Sequence, residues 1–496
     1  MGTMTFQLPA GLPPDSTKEL ERTCVAGGPD NMPWPTDLRL KPDLLAASRS
    51  VDESGYLVVP WSVDHFGRLM GTTATLMERT APYNLLVELA RGKVNQLRCM
   101  AADWRTGGLQ IPDTLRQLID DASKAFVQAV AGDGVPDATH HARQALALGY
   151  QAAELLVRAY VDQVFSVRHQ RQAKLDATLS CRLGASLPSD NIAGAVTQAF
   201  NTVCVPMTWS AIETAEGAFD WSAADAAVKW AADKGVPLSA GPLVDFSSAN
   251  LPAWLWLWER DLPSLATFMC KYVDTAVRRY RSKIRRWQLT AASNNATVLS
   301  LTEDELLGLT YRLVEAARQV DPSLDLVVGI AQPWGEYMAI EDRTHSPFIF
   351  ADTLIRSGLN LSALDVELVM GVTPRGSYCR DLLETSRVLD LYALLGVPLR
   401  VTLGYPSADG PDADADPELR VAAGRWHGGF TPTTQAEWVE AYSRLAICKP
   451  FVQGVQWVQL SDAGPHPFPH CGLIDASGQP KPALEQFREL RLNHLS

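Results

Sequence analysis

Apolar and polar positions change their period twice along the chain. Up to about residue 99 the apolar residues come in short runs, at 36–50, 55–63, 69–79 and 83–92, broken by Gly, Pro and the stretch Asp52-Glu53-Ser54-Gly55. Runs of that length and punctuation predict strands, so residues 1–105 are expected to form a β-rich, sandwich-like domain. Trp34 and Pro60-Trp61 in it suit an exposed sugar platform or a core equally. From Ile111 to about Gln172 apolar residues recur at i, i+3, i+4 and i+7, which predicts a helical hairpin over 106–175 with Val135–Asp137 between its arms. From Leu179 onward the pattern repeats as a unit: a short apolar strand, a loop, a helix, then Gly-Val-Pro (235–237, 396–398) or Asp-Pro before the next strand. Eight such strands alternating with helices predict an α/β fold, a (β/α)8 TIM barrel over 176–496.

Composition narrows the function classes. The net charge is −12, with 46% hydrophobic and 20% charged residues. No Lys/Arg block gathers into a basic face, which argues against nucleic acid as a partner. The apolar run Leu251–Trp258 is too short for a membrane span and contains Pro252. The first residues lack a basic segment followed by an apolar one, so no secretory signal is read there. The eight cysteines are scattered without CxxC spacing, which predicts reduced thiols, no structural zinc and a cytoplasmic setting. His466 and His470 stand four apart in a Pro-rich loop, a weak metal pattern. The acidic run at 407–420 lacks the Gly and late Glu of a calcium loop. Trp426-His427, just beyond it, suits a cover over the cleft mouth. No metal and no cofactor are expected.

Four stretches of the barrel resemble glycoside hydrolase family 10, the endo-β-1,4-xylanases. They are FNTVCVPMTWSAIETAEGAFDW from Phe200, GPLVDFSSANLPAW from Gly241, RRYRSKIRRWQLTAAS from Arg278, and the closing GVQWVQLSDAGP with GLIDASGQPKPALEQF. The resemblance implies a barrel that handles a polysaccharide or oligosaccharide at the C-terminal ends of its strands. It also implies a retaining mechanism with two carboxylates about 5–5.5 Å apart, an acid/base after strand 4 and a nucleophile ending strand 7. This sequence departs at those positions. Ala291-Ala292 stands where the family has Asn-Glu, and Leu403 falls at the nucleophile. Val205–Trp209 lacks the family's Glu, Asn and Lys, and Pro242 replaces its His. Neither Ala nor Leu can donate a proton or attack an anomeric carbon.

Other polar groups cluster at the strand ends. In Ala363–Gly371 the apolar positions Leu364, Val366, Leu368 and Met370 share one face, which turns Asp365 and Glu367 toward the barrel axis. Glu367 is then either paired with an Arg or an acid of raised pKa. Trp334, Glu336 and Tyr337 follow strand 5. Glu336 and Glu367 are the candidates for relocated catalysis. Trp209, Asp245, Asn294, Trp334, Tyr337, Arg375, Trp457 and Asp462 are the candidates for holding a sugar. Three functions remain open: a glycan-binding barrel that has lost hydrolysis, a hydrolase with relocated carboxylates, and a non-enzymatic assembly protein. The oligomeric state is not legible.

Overall fold

The computed structural model describes residues 2–131 and 135–496. The N-terminal region is β-rich: β1 (Gly2–Gln7), β2 (Cys24–Gly27), β3 (Met32–Trp34), β4 (Thr36–Lys41), β5 (Leu44–Arg49), β6 (Tyr56–Val63), β7 (Gly67–Thr72) and β8 (Tyr83–Asn84). They form two sheets, one ordered β4-β5-β1-β8 and one that contains β7-β6-β2-β3. Trp34 acts as packing. A Cβ added to Gly27 would lie 2.3 Å from its ring, and one on Gly55 2.9 Å.

The apolar run at 83–92 is not a strand beyond Asn84. It opens the helix α1 (Leu85–Thr106), because the Asn84 side chain accepts from the Val87 amide and caps the helix. Leu85, Leu86, Leu89, Ala90, Leu97 and Ala101 then line one buried face at helical spacing. Gly92 lets this helix cross β7, since a Cβ there would sit 2.1 Å from the Thr72 carbonyl. The helices α2 (Asp113–Ala131) and α3 (Val135–Arg171) follow. The β-rich region therefore ends about twenty residues early, and three helices pack together where two were expected. Val135–Asp137 begin α3 rather than separating two arms, and residues 132–134 lie outside the described residues.

The barrel is a closed parallel sheet. Its strands are β9 (Thr178–Arg182), β10 (Thr202–Val205), β11 (Leu238–Ala240) continued as β12 (Val244–Asp245), β13 (Arg286–Ala291), β14 (Asp325–Ile330), β15 (Ala363–Val369), then β16 (Gly371–Thr373) in the sixth loop, β17 (Leu399–Gly404), then β18 (Arg420–Ala423) and β19 (Arg425–Trp426) in the seventh loop, and β20 (Val452–Trp457). β20 pairs with β9 and closes the ring. With the loop strands set aside, and β11 and β12 counted together, these are the eight strands of a (β/α)8 barrel.

Two features set this barrel apart from the usual one. Its interior is polar, where branched apolar residues ordinarily dominate. Thr402 Oγ1 donates to Asp365 Oδ2 at 2.7 Å, and Arg400 reaches Gln456. The N-terminal domain also sits on part of the C-terminal face. β19 leaves the seventh loop and joins β7, so the second sheet runs β19-β7-β6-β2-β3. The Met70 amide donates to the Cys379 carbonyl at 2.9 Å, and Tyr378 donates to Glu19 at 2.7 Å. The loops after strands five to seven thus meet the N-terminal domain, while the mouth over the first three strands and the eighth stays open, with residues 414–417 of the seventh loop on its wall.

Candidate functional site

The open half of the mouth holds a cavity of about 470 Å³, lined among others by Arg182, Met207, Trp209, Asp245, Asn250 and Gln459. Local sequence explains how Asp245 reaches it. At Gly241 a Cβ would lie 2.2 Å from the Gln288 carbonyl, so only glycine lets the third strand break and re-pair with β13. Its second part, β12, then ends on Asp245 opposite Ala291. The sixth loop brings Arg375 back over the axis. Gly376 permits that turn, since a Cβ there would meet the Val372 carbonyl at 2.6 Å. Gln332 clamps the loop by donating to the Pro374 and Gly376 carbonyls.

Arg375 and Asp245 form an ion pair at 2.9 Å. Asn250 donates to the same carboxylate at 2.9 Å, and the guanidinium lies 5.5 Å from the centre of the Phe468 ring. Glu367 points inward beside this pair, as the alternation of its strand requires. Burial pushes its pKa up to about 7, Arg375 opposes the shift, and the charge of Asp245 adds to it. At neutral pH this carboxyl is poised to hold or release a proton.

The other candidates have partners of their own. Glu336 pairs with Arg380 at 3.0 Å and accepts from the Tyr378 amide. Asp462 pairs with the buried Lys481 and accepts from the Gly472 amide at 2.6 Å. Asn294 makes two 2.9 Å bonds with the backbone of Ala331, and the Tyr337 hydroxyl donates to the Asn294 carbonyl at 3.1 Å. These two residues fasten the fourth loop to the fifth, away from the cavity. Trp457 is fully buried on the outer side of β20, donating to the Cys471 carbonyl at 2.8 Å. Trp334 lies apart from the mouth, under the N-terminal domain. Of the named candidates, the structure therefore brings Trp209, Asp245, Arg375 and Glu367 together.

Trp209 lines the cavity from a buried position. Its indole donates to Glu213 at 2.7 Å, and its ring stacks on Tyr272 at 4.9 Å. Glu213 also accepts from the Gly217 amide at 2.7 Å, so the Ile-Glu…Gly-Ala-Phe-Asp-Trp stretch is a scaffold for this tryptophan. Trp256 is not among the candidates that the sequence pattern singles out. It is half-buried in a shallow depression that shares Ser210 and Ala249 with the main cavity. Its signal is the Leu251–Trp258 run, which folds as a 3-10 helix (Ala253–Trp258) on the rim.

The two positions at which the resemblance implies carboxylates can be located. Ala292 stands at the end of β13 with φ 56°. In β17, Leu399, Val401 and Leu403 face the helices, whereas Arg400 and Thr402 face the axis. A side chain at 403 points away from the cleft, so the inward position at this strand end is one residue on, at Gly404. A Cβ added there would meet Val458 at 3.0 Å and Val369 at 3.1 Å.

Residues 173–329 match the model of glycosyl hydrolase family 10. The chain thus resembles that family through barrel strands one to five. The match ends within the fifth strand, so the loops after strands five to seven, which meet the N-terminal domain, lie beyond it. Endo-1,4-beta-xylanase 3 of Hypocrea jecorina is 30% identical over 126 residues, 25% of this chain and 35% of that protein, so the matched segment spans about a third of the relative. Among solved structures, xylanase 10B from Thermotoga maritima is similar at 14% identity and a TM-score of 0.47, covering 65% of this chain and 97% of that one. The family 10 protein from Paenibacillus barcinonensis aligns at 18% identity and 0.48, covering 66% and 98%. No helix among the described residues is long and apolar enough to cross a membrane.

Proposed function

We propose that this protein binds a neutral polysaccharide or oligosaccharide at the open half of its barrel mouth and does not carry out retaining glycoside hydrolysis. The observation that carries this reading is the state of the strand-end carboxylates. Asp245, Glu336 and Asp462 are each tied to a cation, Arg375, Arg380 and Lys481 respectively. Of the candidates, only Glu367 is left, and a retaining mechanism needs two free carboxyl groups facing one bond. The aromatic rim at Trp256, with Trp209 and Asn250 in the cavity wall behind it, supplies an apolar face and polar atoms for sugar hydroxyls. Xylan chains are the first ligands to try, since the relatives carry the name xylanase. The free state of all eight cysteines suits a reducing compartment.

The test is a glycan-array screen at neutral pH with mass spectrometry of every hit. Binding without cleavage is expected, and reducing-sugar release from xylan is expected to stay at the blank. Absence of any glycan ligand would sink the proposal. Trp256→Ala is expected to weaken binding roughly tenfold, about 1.4 kcal/mol, and to lower the unfolding midpoint, because part of this side chain packs on the core, without abolishing the fold. Titration calorimetry and thermal denaturation check the two halves of that expectation.

A second reading rests on the Glu367 pKa of about 7. An acid so tuned, with the Arg375-paired Asp245 beside it, is a suitable proton donor for a relocated hydrolase. Product release that disappears in Glu367→Gln would select this reading over the first.

A further inference from the structure

A second cavity, of about 380 Å³, lies where the N-terminal domain meets the barrel. Three parts of the chain wall it: β2 and β6 of the second sheet through Cys24 and Tyr56, helix α1 through Asn95 and Gln96, and the barrel loops through Trp334 and Arg387. None of these parts encloses the space alone. It exists because the N-terminal domain is seated on the fifth- and sixth-strand loops.

Its chemistry is specific in two respects. Four of its charges are paired, Glu336 with Arg380 at 3.0 Å and Glu384 with Arg387 at 2.9 Å, while Asp103, also on the wall, is exposed to solvent. An anionic ligand would have to break one of these pairs, leave the other partner uncompensated and face Asp103 as well. A neutral ligand rich in hydroxyls can share the outward donors and acceptors of both. The second respect is aromatic. Trp334 lies on the wall with Arg380 4.8 Å from its ring centre, and its indole N–H is buried without a protein partner among the described residues. Tyr56 stands on the opposite domain, its hydroxyl donating to the Asn31 carbonyl at 2.6 Å. An apolar ring beside neutral-paired polar groups is suited to a pyranose, which has an apolar face and an equatorial belt of hydroxyls.

We propose that this interdomain cavity is a second carbohydrate site, sized for one or two neutral sugar residues and separate from the barrel mouth. The inference rests on the reading of the protein as a glycan binder, and the test keeps the two apart. Xylobiose, cellobiose and maltose are titrated into the full chain by calorimetry, alongside two variants that block one cavity each from an exposed position. Asn95→Trp projects into the interdomain cavity from α1, and Ala185→Trp into the mouth. Circular dichroism and thermal denaturation confirm that both variants fold. Two sites per chain are expected, with one lost in each variant. A single site abolished by Ala185→Trp and untouched by Asn95→Trp overturns the interdomain site and leaves the mouth. A single site abolished by Asn95→Trp alone supports the interdomain site and overturns the mouth. No heat of binding with any of the three sugars overturns the interdomain site.

Discussion

Glu367→Gln is expected to stabilise the protein by roughly 3 kcal/mol at pH 8 and to leave its stability unchanged at pH 4. The Glu367 carboxyl is raised from 4.5 to about 7 in the folded chain. Between those values the folded state keeps a proton that the unfolded state has lost. Unfolding therefore releases protons in this window, and stability falls as pH rises through it. Below 4.5 both states are protonated, so nothing is gained by the amide. Above 7 the folded protein holds a carboxylate that burial disfavours, and the amide removes it. The figure is an upper bound, because part of the side chain faces the mouth and water there lowers the cost. His494 acts in the opposite sense. Burial and neighbouring cations depress its pKa to about 4, so its contribution is lost as pH falls below its ordinary value. Urea denaturation of wild type and variant at both pH values separates the two, since the difference between the proteins reports Glu367 alone. Equal stability at pH 8 would mean that the carboxyl is solvated and has no raised pKa, and the hydrolase reading would lose its proton donor with it.

The inward turn of Glu367 is legible in the sequence itself, and the reason is instructive. Strand alternation is a local property: Leu364, Val366, Leu368 and Met370 have to face the helices, which leaves one direction for Asp365 and Glu367. The eight-strand repeat is legible for the same reason. What the sequence hides is information carried by distant parts of the chain. The run at 83–92 has apolar content that suits a strand or a helix, and the Asn84 cap decides it. Trp426 suits a cover for the cleft by its place in the chain, yet it is buried in β19, paired with Gly67, because the N-terminal sheet takes up that segment. Pairing between residues so far apart leaves no periodic trace. The same contact puts Trp334 and Glu336 outside the mouth and in the cavity between the domains. Asn294 and Tyr337 are polar groups at strand ends, as their positions suggest, but their hydrogen bonds are consumed within the scaffold. Residue type and strand position cannot distinguish a group that faces a ligand from one that ties two loops together.

The Pro-Lys-Pro-Ala stretch near the C-terminus shows how a motif that reads as a family signature acquires a physical role. Lys481 is 9% exposed, and its ammonium reaches Asp462, which is 7% exposed, together with the Ser407 hydroxyl at 2.8 Å. Asp462 in turn accepts from the Gly472 amide and from Gln459. One cation thus ties the seventh and eighth loops to the start of the C-terminal helix, Pro482–His494, and Gln459 carries that order into the open mouth. Removing the cation strands a buried carboxylate, which typically costs about 3–5 kcal/mol. Lys481→Met is expected to destabilise the chain by that amount and to weaken glycan binding as well. Lys481→Met combined with Asp462→Asn is expected to recover most of the stability, because the amide still accepts from Gly472 and no charge is left unpaired. Urea denaturation of the two single variants and the double variant measures the coupling. If the double variant is no more stable than Lys481→Met, the stabilisation comes from the packing of the lysine stem rather than from its charge. The link from this ion pair to the mouth would then have to run through the shape of the eighth loop.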